Sequence, residues 1–160
     1  MTHHAEQLDI DAQCLVHLNS GGVSVLIDFG RQQLPSIIHW GASLGQLDFA
    51  QALTLTEATT NHVTSNNQDL PVRADILGSQ YAGWAGRPGL SGTRSGHDWS
   101  PKFTVNSANL ECHAAQKIHV GGNLTSATAA TLNVFAADTE TNLELNLAIE
   151  LTQQGVLRAR

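Results

Sequence analysis

The sequence predicts an all-β fold: an antiparallel β-sandwich carrying one long glycine-rich loop. Three observations carry this expectation. Leu143, Leu145, Leu147, Ile149 and Leu151 alternate with Glu144, Asn146, Ala148, Glu150 and Thr152, the period of a strand with one dry and one wet face. Charged residues make up only 14% of the chain, whereas Thr, Asn, Gln, Ser and Gly are plentiful; that mixture suits strands joined by polar turns better than charged amphipathic helices. Short apolar runs are separated by turn residues along most of the chain, the pattern of a sandwich.

In chain order, residues 14–19 (CLVHLN) read as a strand, Ser20-Gly21-Gly22 as a turn, and residues 23–29 (VSVLIDF) as a second strand. Val23, Val25, Ile27 and Phe29 share one face of it at a spacing of two. A turn over residues 30–35 leads to a third short strand, Ile37-Ile38-His39-Trp40, ended by Gly41. Residues 45–53 suggest one or two helical turns. Residues 57–101 hold three of the four prolines and many glycines, with Gly83, Gly86, Gly89 and Gly92 recurring every third residue. Four triplets are too few for a collagen helix, and neither flank supplies the strand and helix of a phosphate loop. This stretch is expected to be a shaped surface loop, and loops of such length in a compact domain are usually functional.

Beyond Pro101, residues 103–120 are expected to hold one or two strands broken near residues 106–109, and Gly121-Gly122 to make a turn. Residues 128–137 form the next expected strand, residues 138–141 a hairpin loop, and the alternating run then follows. Gln153-Gln154-Gly155 turns the chain into residues 156–160, a final strand that is only begun and is expected to be an unpaired stub. The chain is therefore expected to be one domain over residues 1–160, truncated at its carboxy end from a longer protein.

A chain of 160 residues is long enough to bury a sizeable core. The net charge of −6 and the absence of any Lys/Arg run argue against a nucleic-acid or anionic-membrane surface. Residues 1–11 lack the apolar stretch of a signal peptide, and no segment approaches the roughly 20 apolar residues of a membrane span, so a cytoplasmic location is expected. Cys14 and Cys112 are read as reduced core residues.

No cofactor and no metal are expected. His3 and His4 fall in a frayed terminus, His113 and His119 would lie roughly 20 Å apart on one strand, and no HExxH or CxxC spacing occurs. Nor is there a G-x-S-x-G elbow. Asp9 and Asp11 precede the expected fold, and Asp69 and Asp75 flank a proline turn; all four read as solvated carboxylates. Residues 81–103 are the richest in site chemistry. Tyr81, Trp84 and Trp99 lie there with Arg87, Arg94, His97 and Asp98 on a glycine-rich backbone. Aromatic faces cover the C–H side of a sugar while charged groups bond its hydroxyls. The alternative is that the tryptophans pin the loop to its own domain and the arginines bond backbone carbonyls.

The blocks VSVLIDF, LPSIIHWGASLG and GWAGRPGLSGTRSGHDWSPKF, in that order and spacing, resemble the amino-terminal region of α-galactosidases of glycoside hydrolase family 36, of the actinobacterial type. The resemblance implies a large supersandwich-like β domain leading into a (β/α)₈ barrel and a small carboxy-terminal β domain. It also implies hydrolysis of terminal α-galactosides with retention, by two aspartates of the barrel. A barrel needs roughly 200 residues or more, so neither aspartate is expected in this chain, which alone should hydrolyse nothing. Many members are tetramers in which a loop of this domain reaches a neighbour's active site through an Asp–aromatic–Arg motif. Asp98-Trp99-Ser100 matches it with serine in place of arginine, leaving Arg87 or Arg94 to substitute. The implied substrate contacts, made in trans, are Asp98, Trp99, Trp84, Arg87 and Arg94; the implied partners are an α-galactoside, the catalytic barrel and further copies of the subunit. A stand-alone carbohydrate-binding module and a purely structural interaction domain are the rival expectations.

Overall fold

A computed structural model describes residues 5–60, 72–93, 95–97, 99–113 and 118–160. Among them, ten strands make two five-stranded sheets. The first sheet contains β1 (Ala5–Gln7), β5 (Thr104–Cys112), β8 (Ala130–Asp138), β9 (Leu143–Leu151) and β10 (Leu157–Ala159), in that spatial order. The second runs β4 (Ser36–Ala42), β3 (Val23–Asp28), β2 (Leu15–Ser20), β7 (Leu124–Ala127) and β6 (His119–Gly121). Every pairing is antiparallel except β2 with β7, which is parallel. The expected sandwich is thus present, with one parallel ladder inside it.

Alternation explains which residues meet between the sheets. Val16 and Leu18 from β2, and Val25 and Ile27 from β3, face Leu110 of β5, Leu132 and Val134 of β8, and Ile149 and Leu151 of β9 in one buried cluster. Burial of each such side chain is worth about 1.5–3 kcal/mol, and this shared dry layer holds the sheets together. The β2–β3 hairpin closes through Gly21 and Gly22, both at positive φ, the two-residue turn whose twist matches paired strands. At the Asn106 position β5 carries a bulge against β8. The extra residue lets Val105 and Ala108 both point inward, so the break expected over residues 106–109 is a bulge within a single strand.

One helix, α1 (Phe49–Thr59), lies on the outer face of the second sheet. Its Ala52 packs with Leu15, Leu26 and Leu124, which is why β2 is buried on both faces. The helix is longer than the turns expected over residues 45–53 and takes in the start of the stretch read as loop.

Several expectations are corrected. The segment around Asp9 and Asp11 does not precede the fold: β1 pairs with β5, and Leu8 and Ile10 are buried in the core. Asp9 accepts from the Asp11 N–H, and Asp11 accepts from Gln32. The strand expected over residues 128–137 begins at Ala130, and β7, not expected, precedes it in the other sheet; the chain changes sheets at Thr128 and Ala129. The last strand is not an unpaired stub, because β10 pairs with β9 and Arg160 exchanges two backbone hydrogen bonds with Ala148. Cys14 and Cys112 are buried free thiols. Among the described residues no helix is long and apolar enough to cross a membrane.

Candidate functional site

The glycine-rich segment leaves the sandwich on a set of fixed anchors. Arg73 forms an ion pair with the Asp28 carboxylate and also donates to the carbonyls of Asp28 and Leu34. Ser36 Oγ donates to the Ala74 carbonyl at 2.7 Å, and the Ile76 N–H to the Pro35 carbonyl at 2.9 Å. Asp75 then organises the next turn, accepting from the N–H groups of Leu77 and Ser79 and from Ser79 Oγ. Asp75 is therefore a structural acceptor and not a loose solvated carboxylate; Asp69 lies outside the described residues. At the far end, Asp138 accepts from the Lys102 N–H at 2.9 Å. No spacing in the sequence announces the Arg73–Asp28 pair, since 45 residues separate its members.

Between these anchors the loop folds around Trp84. A short 3-10 turn, Gln80–Ala82, precedes it, and the indole Nε1 donates to the Arg87 carbonyl at 3.2 Å. A β-carbon at residue 86 would sit 2.7 Å from that indole nitrogen, and one at residue 89 would sit 2.4 Å from the Leu77 carbonyl oxygen. Glycine is required at both, for different reasons, whereas Gly92 meets open space. The three-residue spacing of glycines is therefore no structural repeat.

The expected site residues are distributed as follows. Trp99 is 62% exposed and Tyr81 59%, whereas Trp84, at 40%, packs its indole against Gly78 and Gly86 and so helps to pin the loop. Lys102 Nζ stands 4.8 Å from the centre of the Tyr81 ring, a cation–π contact. Arg87 is exposed and meets Trp84 only through its backbone. Asp98 and Arg94 lie outside the described residues. The crevice beside Trp99, between Leu77, Pro88 and Phe103, encloses only about 10 Å³, too little for a ligand. Beside Trp99, the described residues of the loop leave no room for a ligand. Arg73, not one of the expected arginines, bonds backbone carbonyls, those of Asp28 and Leu34.

Of the eight histidines, three that appear scattered in sequence are aligned by register. His119 of β6 pairs across to Ser126 of β7, Ser126 to His17 of β2, His17 to Leu26 of β3, and Leu26 to His39 of β4. No group of three or more His, Cys, Asp or Glu side chains placed to hold a metal occurs among the described residues.

Two facing sheets with exposed aromatics on an anchored loop, Tyr81, Trp84 and Trp99, and on β4, Trp40, define a β-sandwich module. Residues 33–160 match the family model described as the glycosyl hydrolase family 36 N-terminal domain. The chain belongs to this family, as a non-catalytic domain of a glycoside hydrolase. The match begins after the VSVLIDF block and takes in the other two. No curated protein matches the chain, and no solved structure does.

Proposed function

We propose that the chain is the amino-terminal part of a longer α-galactoside-hydrolysing enzyme. It associates with the catalytic barrel, supports oligomer assembly, and lends its aromatic loop to a substrate pocket completed by another subunit. The observation that carries this reading is the exposure of Trp84 and Trp99 on a firmly anchored loop whose crevice beside Trp99 is too small for a ligand. A sugar stacked on either indole needs walls from elsewhere to be held, and a small-molecule site ordinarily buries most of its ligand. The charged hydrogen bonds to the sugar hydroxyls are assigned in this reading to Arg87, Arg94 and Asp98.

The test uses the full-length enzyme that carries this domain. Trp99→Ala and Arg87→Ala are expected to raise KM for melibiose by about tenfold, or to dissociate the oligomer, as for residues at an interface centre. Steady-state kinetics and light scattering read the two effects. Unchanged KM together with an unchanged oligomer for both variants would refute the reading.

A further inference from the structure

Helix α1 packs on the outer face of the second sheet over Leu15, Leu26 and Leu124. The same face carries a cavity of about 420 Å³ lined by His17, Asn19, Gln46, Leu47, His119 and Ser126, among others. That volume lies within the range of small-molecule sites. We propose that this cavity binds one neutral polyhydroxylated ring, a monosaccharide, at a place separate from the aromatic loop. The inference stands independently of the role given to that loop.

The cavity is a built one. Asn19 Nδ2 donates to the Gly45 carbonyl at 3.0 Å, and Ser43 Oγ donates to Asn19 Oδ1 at 2.9 Å. Ser24 Oγ accepts from the Leu44 N–H at 3.0 Å and lies 3.1 Å from His17 Nε2. These bonds fasten the segment 43–45 to the strands, so one wall is held before any ligand arrives. A preformed wall spares the ordering cost of binding.

The lining chemistry selects the ligand. His17 is 2% exposed. Burial first, and the charge of His39 second, hold its imidazole below the usual range, so the ring is neutral at physiological pH. Neither Asp, Glu, Lys nor Arg lines the cavity among the described residues, and a charged ligand would be desolvated there without a counter-charge. The side chains of Gln46, His119 and Ser126 make no hydrogen bond within the described protein. They offer donors and acceptors together, which a hydroxyl group matches because it is both at once. A purely apolar ligand would leave them unpaired, at a cost. Leu47 supplies the apolar contact that the C–H face of a sugar ring needs. Strand spacing sets the Cα atoms of His17 and His119 about 10 Å apart with Ser126 between them, leaving room for one ring.

The test is ligand-observed NMR on the 160-residue chain with D-galactose, D-glucose and D-mannose in turn, while the imidazole resonances of His17 and His119 are followed. At least one sugar is expected to bind and to shift those resonances. Ser126→Val and His119→Ala are expected to weaken that binding by about tenfold, the loss of one good hydrogen bond. His119 lies exposed on an edge strand, so its replacement leaves the fold intact even if the Ser126 change disturbs it. Binding by none of the three sugars would overturn the inference. So would binding that His119→Ala leaves unchanged. Binding abolished by Trp99→Ala and indifferent to both cavity variants would assign the sugar to the aromatic loop and sink this inference, whereas the proposed function is tested separately by the kinetics of the full-length enzyme.

Discussion

Asp138 ends β8 and is 5% exposed, yet its carboxylate accepts from the Lys102 N–H, the Glu140 N–H and Thr141 Oγ. Burial alone would raise its pKa; the hydrogen bonds, led by that from Lys102, outweigh it and hold the carboxyl below its ordinary value. A carboxyl whose folded pKa is depressed stabilises the fold fully above its unfolded pKa. That contribution is lost as pH falls through the folded value. Asp138→Ala is expected to lower stability at neutral pH by about 1–3 kcal/mol, since it strands buried donors. Urea unfolding should show the gap from the parent protein narrowing in strong acid; a gap independent of pH would contradict this account. Cys14 shows the opposite balance. Burial first, and then the charges of Asp28 and Asp9, push its thiol up to about 11, which makes it an inert packing residue.

At the scale of one element, α1 shows how weak local signals are completed by context. Asp48 caps it: its side chain accepts from the Gln51 N–H at 2.8 Å, and the Gln51 side chain accepts from the Asp48 N–H at 3.0 Å, a reciprocal capping box. Further along, Thr54, Thr56 and Thr59 return their hydroxyls to carbonyls four residues back. Such residues have low helix propensity, which is why the sequence suggested only a turn or two. Contact with Leu15, Leu26 and Leu124 compensates. Asp48→Ala is expected to cost about 1 kcal/mol, measured by urea unfolding; an effect indistinguishable from zero would mean that packing alone sets the start of the helix.

At the scale of the whole molecule, stability rests on the layer shared by the two sheets. Leu132 of β8 is fully buried within it. Its replacement by alanine removes apolar burial and leaves a cavity, and Leu132→Ala is expected to cost about 2–5 kcal/mol. Thermal unfolding should remain one transition, because residues of both sheets form a single cluster; separate transitions for the sheets would contradict a common core. The loop over residues 72–93 is joined to this body through Arg73, Ser36 and Ile76. Breaking the buried pair by removing Arg73 would therefore free the loop as well as strand the Asp28 charge.

Local pattern determined the longer strands, while β1 and β7 escaped it. The alternation in β9 and β3 reports side-chain direction, and direction is the local property that decides which face is dry. The aromatic loop was legible too, because glycines and tryptophans are conspicuous in composition alone. Its anchors were not: Arg73 meets Asp28, and Lys102 meets Asp138, across separations that no local period encodes. The order of strands, the parallel β2–β7 ladder and the row running from His119 to His39 follow from register between distant segments. Only the tertiary structure decided these, because pairing energy depends on which edges the folded chain brings together and not on any residue's nearest neighbours.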